Sequence, residues 1–162
     1  MLDPKDLSLE ELVRRGRIGL RSGQYEVANA CLSEYCDRQL RDDHPISGAL
    51  LADYALAVAH TGDLKEASEI CQSALAHERK NPEVYAALAR IHGMSGSRRK
   101  AVDAIDRGLA LSPRHPGLLA VQQDLGVRRP PPIPFLPRDN RWNIWLGRVI
   151  GRVRPGGGPR VA

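Results

Sequence analysis

Arg14, Arg17 and Arg21 follow one another at intervals of three and four residues near the start of the chain. On a helix that spacing puts three guanidiniums on one face. Such a row holds carboxylates or phosphates through charge-assisted, forked hydrogen bonds. It binds anions and makes or breaks no covalent bond. Groups that could do covalent work are sparse and badly placed. Asp42, Asp43 and His44 are consecutive, and adjacent loop residues without further ligands do not make a metal site. Cys31 and Cys36 stand five residues apart, so on one helix they point in different directions. With Cys71 they read as small apolar packers rather than nucleophiles or ligands. GRIGLRSG at 16–23 is glycine-containing but follows no strand, and the sequence holds neither GxxxxGK nor HExxH. The expectation is a chain that is not an enzyme and needs no cofactor and no metal.

A second set of residues suited to binding lies near the C-terminus. Phe135 is the only phenylalanine, and Trp142 and Trp145 are the only tryptophans. Large aromatics bury much area at little rotamer cost, which makes them binding anchors. In RWNIWLGRVIGRVR the apolar Trp142, Trp145, Leu146, Val149, Ile150 and Val153 recur at helical spacing, with Arg141, Arg148 and Arg152 largely off that stripe. Three uses are open to it: gripping a partner protein, lying on an anionic membrane surface, or covering the body of its own chain.

The elements that must position these residues follow from composition and periodicity. Residues 1–127 hold 16 Lys/Arg against 18 Asp/Glu, whereas residues 128–162 hold eight arginines against Asp139 alone. The basic character is that of the tail. A slightly acidic body, and a tail whose apolar residues form a stripe instead of interleaving with arginines, argue against nucleic acid. No run approaches the ~18 apolar residues of a membrane span. The opening MLDPKDLSLEEL carries no basic-then-apolar signal segment, and three unmatched cysteines fit a reducing compartment. A cytoplasmic location is expected, with peripheral membrane attachment through the tail as the alternative.

GDLKEA at 62–67 returns 34 residues later as GSRRKA at 96–101. Ala67 pairs with Ala101, Cys71 with Ile105, Leu75 with Leu109, Leu51 with Tyr85, and Ala55 with Ala89. A weaker copy begins at Gly23 in GQYEVA, 39 residues before Gly62. About five residues are therefore inserted, and they are expected within 41–47. The periodicity predicts helices over 8–21, 24–40, 46–61, 64–78, 82–95 and 98–111. Ser8 with Glu11 forms a capping box for the first. Each glycine ends the first helix of its pair, where a positive φ is needed. Pro116 opens a shorter segment whose apolar side is Leu118, Leu119 and Leu125, with Gln122, Gln123 and Asp124 mainly outward. After it, RRPPPIPFLPRDN carries five prolines between Pro130 and Pro137 and reads as an extended strap.

Tyr85-x2-Leu88-Ala89-x2-His92, then Ala101-x3-Ile105 and Pro113, resembles the tetratricopeptide repeat (TPR), as does Leu51-x2-Tyr54-Ala55-x2-Val58 followed by Ala67-x3-Cys71. The first copy is degenerate, with Arg15 and Gly19 where the family has leucine and tyrosine. The resemblance implies an all-α fold of three helix pairs in a short right-handed TPR superhelix with a capping helix, to which the tail's own spacing adds a C-terminal amphipathic helix beyond the strap. It implies repeats at about 9–42, 48–81 and 82–115 with a cap at 116–126, and the residues beyond predict a linker at 128–140, the amphipathic helix at 141–154 and a disordered tail at 155–162.

The same resemblance implies a non-catalytic adaptor or scaffold whose first helices line a concave groove for a peptide or helix of a partner protein. Arg14, Arg17 and Arg21, then Asp53, Leu56 and His60, then Arg90 and Met94, are the candidate lining residues. They would stand around an apolar floor of Ala52, Leu56 and Ala86. Chaperone-binding members of the family grip a C-terminal carboxylate with Lys, Asn and Arg. The matching positions are Val13, Arg17, Asp53, Glu83 and Ala87, of which only Arg17 keeps a suitable side chain, and this argues against that use. A tail that reached a neighbour's groove would give an exchanged homodimer.

Overall fold

The computed structural model describes residues 3–126 of the 162-residue chain. They form a short 3-10 turn at Pro4–Asp6 and seven helices: α1 Leu9–Ser22, α2 Tyr25–Arg41, α3 Gly48–Thr61, α4 Leu64–His77, α5 Pro82–Met94, α6 Arg98–Leu111 and α7 Pro116–Asp124. No strand occurs among the described residues. Helices α1–α2, α3–α4 and α5–α6 pair as hairpins, and α7 packs on α5 and α6. The inner helices α1, α3 and α5 touch in sequence along the stack. An antiparallel outer helix separates each from the next, so all three run in the same direction.

Local chemistry fixes the boundaries. Ser8 Oγ accepts from Glu11 N–H at 3.3 Å, Ser47 Oγ from Leu50 N–H at 3.4 Å, and Asp63 Oδ1 from Glu66 N–H at 2.8 Å. Each cap satisfies an otherwise orphaned donor and stabilises its helix by about 1 kcal/mol. At the far ends of α1 and α3, Gly23 and Gly62 take φ of 76° and 117°, a region that a side chain would strain.

The predicted helices agree with these to within two residues at most ends. The five-residue insertion is distributed differently from the expectation that it lies within 41–47. Helix α2 has 17 residues where α4 and α6 have 14, so three of the five lengthen a helix. The other two lengthen the loop 42–47, compared with 78–81. A helix absorbs extra residues readily when its added turn stays exposed, and Leu40, in that turn, is 69% exposed.

The core runs along the stack through small residues. Ala55, Ala67, Ala89 and Ala101 are fully buried, beside Leu12, Leu32, Ile91, Ile105 and Leu118. Alanines let helix axes approach; the larger side chains fill what remains. The closest approaches are at glycines. A methyl on Gly16 would stand 2.6 Å from Leu32 Cγ, and one on Gly108 would stand 2.6 Å from Leu118 Cδ1. Cys31, Cys36 and Cys71 are all buried and unpaired. Burial pushes Cys36 up to about 11 and Cys71 to about 12, which leaves both as inert thiols at neutral pH.

Helix α7 corrects one expectation. Gln122, expected on the outer side, is buried at 8% exposure, while Gln123 and Asp124 do face outward. The buried side of α7 is Leu118, Val121 and Gln122, set by the i, i+3, i+4 spacing of one helix face that a leucine-only reading misses. The N-terminus holds a contact with no sequence signal. Arg38 donates to the carbonyls of Leu7 at 2.7 Å, Lys5 at 2.7 Å and Pro4 at 3.2 Å, and its Nε donates to Glu34 at 2.8 Å. One guanidinium thereby fastens the 3-10 turn over the end of α2.

Candidate functional site: the inner-helix groove

The inner helices line a concave groove of about 430 Å³. Its floor is Ala49, Ala52 and Leu56 from α3 with Ala86 and Ala87 from α5, and Leu20 of α1 and Gly117 of α7 stand at its sides. Small residues occur here for a structural reason as well. Ala52, Ala86 and Ala87 are buried where adjacent inner helices meet. A floor of methyl groups between close-packed helices offers apolar area without protruding side chains.

Charged residues rim that floor: Arg17, Arg21, Asp53, Glu83 and Arg90. Arg17 Nε donates to Asp53 Oδ2 at 2.9 Å, tying α1 to α3 across the groove. Both side chains are partly exposed, so the pair is worth about 1 kcal/mol or less. At the α7 end, His115 is buried and has its two ring nitrogens in different roles. Its Nδ1 accepts from Leu118 N–H at 3.3 Å, capping α7, and its Nε2 lies 3.0 Å from Glu83 Oε1. An accepting Nδ1 places the proton on Nε2, which then donates to the Glu83 carboxylate. Arg21 and Arg90 have no carboxylate within 4.0 Å among the described residues.

The residues singled out from sequence are not all brought together. Arg17, Arg21, Asp53, Leu56 and Arg90 meet in the groove. Arg14 does not line it. Its Nε and Nη2 each donate to Glu11 at 2.7 Å on the exposed side of α1. Those bonds, with one from Arg15, hold the Glu11 carboxyl down to about 2. His60 does not line it either; it stacks on Tyr25 of α2, with ring centroids 3.8 Å apart and planes within 3°. Partial desolvation and, secondly, the Arg90 guanidinium hold His60 below its ordinary value. Met94 is exposed and outside the groove lining. Phe135, Trp142 and Trp145, with the linker, the amphipathic helix and the tail end, lie outside the described residues. Ala49, Leu20 and Gly117 line the groove without having been marked beforehand. Ala49 is one helical turn from Ala52 and Asp53, a spacing that could have flagged it.

No helix among the described residues is long and apolar enough to cross a membrane. No group of three or more His, Cys, Asp or Glu among them is arranged to hold a metal ion.

Stacked helical hairpins with glycine-ended inner helices and a small-residue interior define a helical-repeat protein. The tetratricopeptide-repeat profile matches residues 20–91 and 58–125, together about two-thirds of the chain. The chain belongs to the tetratricopeptide-repeat family. No curated protein matches it in sequence. Among solved structures, the TPR domain of Arabidopsis OM64 is similar with a TM-score of 0.59 at 15% identity, covering 73% of this chain and 93% of that one. The first TPR domain of Spaghetti (RPAP3), bound to the HSP90 peptide SRMEEVD, has a TM-score of 0.58 at 18% identity, covering 73% and 90%. The second TPR domain of human RPAP3, in complex with the HSP70 peptide SGPTIEEVD, has a TM-score of 0.55 at 18% identity, covering 78% and 94%. At these identities the likeness is one of fold.

Proposed function

We propose that this protein is a non-catalytic adaptor that holds a segment of a partner protein in the groove of α1, α3 and α5. The observation that carries the reading is the groove itself. It has an apolar floor of five residues from two helices, rimmed by charged groups and open to solvent. Apolar floors with a polar rim suit segment binding, because the floor supplies area and the rim supplies direction. Two structures of the same fold are described as holding short peptides, and this supports the reading without identifying the ligand here.

The grip on a chain-terminal carboxylate does not suit this groove. Asp53 and Glu83 occupy two of the matching positions, and both line the groove. Arg17, the one suitable residue, is already bonded to Asp53 at 2.9 Å. A terminal carboxylate placed there would face two like charges.

The test is affinity enrichment of partners from the source organism with wild-type protein and with Ala49→Arg. Ala49 is half-buried on the floor, in the first turn of α3, so the long side chain obstructs the groove without entering the core. Loss of one or more specifically enriched proteins, at unchanged melting temperature, supports the reading. An identical enrichment profile for both proteins refutes it.

A further inference from the structure

Resting on that reading, we infer that the groove is charge-directional and takes a segment in one orientation: a side-chain carboxylate seated between Arg21 and Arg90, small apolar residues over the alanine floor, and a basic residue about 10 Å away against Glu83. The spacing follows from helix geometry. Glu83 is the second residue of α5 and Arg90 the ninth, and a rise of about 1.5 Å per residue separates them by roughly 10 Å along the axis. Arg21 is the penultimate residue of α1. Because the inner helices run the same way, Arg21 stands at their common C-terminal end, and Arg90, level with Arg17 (each the ninth residue of its helix), stands about one turn nearer the middle. The Arg90 guanidinium also acts on His60, the penultimate residue of α3, which places it towards that end of the row.

The opposite end carries the other sign. Glu83 is 59% exposed at its side chain. Its only ion-pair contact among the described residues is His115, whose Nδ1 accepts a backbone hydrogen bond and so leaves the ring neutral. A neutral imidazole orients the Glu83 carboxylate and leaves its charge in place. At the level of Arg90, Arg17 is neutralised by Asp53 at 2.9 Å. Among the described residues the groove therefore offers two guanidiniums without a carboxylate partner towards one end, Arg21 and Arg90, a carboxylate without a cationic partner at the other, Glu83, and apolar floor between them. Guanidiniums accept a carboxylate in forked geometry, and a reversed segment would set like charges against each other at both ends.

A peptide library displayed on phage, selected against the full-length protein, tests this. Enriched peptides are expected to pair Asp or Glu with Lys or Arg at a separation of about 10 Å, three residues in an extended chain or seven in a helix, with alanine- to leucine-sized residues between. Both arginines and Glu83 are exposed, so Arg21→Glu with Arg90→Glu, and separately Glu83→Lys, should fold. Melting temperature and circular dichroism check that. The double variant is expected to weaken enriched peptides about tenfold or more and to select a basic residue at that end. Glu83→Lys is expected to select an acidic residue in place of the basic one. Enrichment without acidic residues, or affinity indifferent to the double charge reversal, overturns the inference; so does failure to enrich any sequence. If such peptides still lose binding on Ala49→Arg, the groove reading stands and only the charge rule falls. If they bind Ala49→Arg unchanged, both fall.

Discussion

Gly108 lies where α6 packs against α5 and α7, and replacing it with alanine should damage both fold and groove. A Cβ there would stand 2.6 Å and 2.9 Å from the two Leu118 methyls and 2.9 Å from Tyr85 Cβ. Carbon atoms are comfortable at about 3.5–4.0 Å, so something must move by roughly 1 Å. Leu118 is fully buried and its methyls can shift only within packed surroundings, whereas Tyr85 Cβ is anchored to the backbone of α5 and cannot yield without moving that helix. Overpacking of that kind costs about 3 kcal/mol at its upper end, and alanine's better helix propensity returns about 1. The net loss is about 2 kcal/mol. For a folded region of this size that lowers the melting temperature by about 6–10 °C. Gly93→Ala is the control with the opposite sign. A Cβ there meets only Leu125 Cδ2, at 3.4 Å, so helix propensity prevails and melting should rise by about 3–5 °C. Thermal melts followed by far-ultraviolet circular dichroism read both. The helix that Gly108→Ala displaces carries Gly117 of the groove wall and follows His115, so groove affinity should fall as well. Equal or greater stability in Gly108→Ala would refute the packing argument.

Three further outcomes follow from other contacts. Arg38→Ala removes three bonds to the carbonyls of Pro4, Lys5 and Leu7; it should cost about 1–3 kcal/mol and raise hydrogen exchange at residues 3–8 well before the core. Burial, with Arg90 and Lys100 respectively, holds His60 and His92 below their ordinary value of 6.5. The unfolded chain therefore takes up protons first as pH falls. Stability should be full above about pH 6.5 and decline towards pH 5, with the decline flattened in a His60→Gln, His92→Gln protein compared by urea midpoint. The buried thiols of Cys31, Cys36 and Cys71 should resist a disulfide-exchange reagent in the native protein and all react in denaturant; rapid native labelling would contradict the burial assigned to them.

Much of the architecture was legible because it rests on residues with narrow physical roles. Gly23, Gly62 and Gly96 adopt positive φ, and glycine ahead of a small residue five positions on marks the second helix of each pair. Ser8 announced α1 because its hydroxyl caps the helix within one turn, but the Glu11 carboxylate, expected to complete a capping box, is taken by Arg14 and Arg15. Groove residues were legible where helical periodicity alone decides the face, as for Arg17, Asp53, Leu56 and Arg90. Legibility ended where a side chain had a choice of partners across pairs. His60 sits at the right register for the groove, yet its ring stacks on Tyr25 of the preceding pair. Arg38 reaches more than 30 residues back along the chain, which no periodicity encodes. Gln122 is buried because α7 needs a third inward position beside Leu118 and Val121, and polarity alone pointed the other way. The partition of the inserted residues between α2 and its loop was equally hidden, since Arg38, Gln39, Leu40 and Arg41 suit either state.

The central claim is that partner protein lies against the inner helices and not the outer ones. Site-specific photocrosslinking in the source cells tests it most directly, with a benzophenone side chain placed at Leu56 on the groove floor or at Gln72, exposed on outer helix α4. A discrete protein adduct from position 56, absent from position 72 and lost when Ala49→Arg is added, is the predicted result. Adducts that form equally from both positions, or from position 72 alone, would contradict the account.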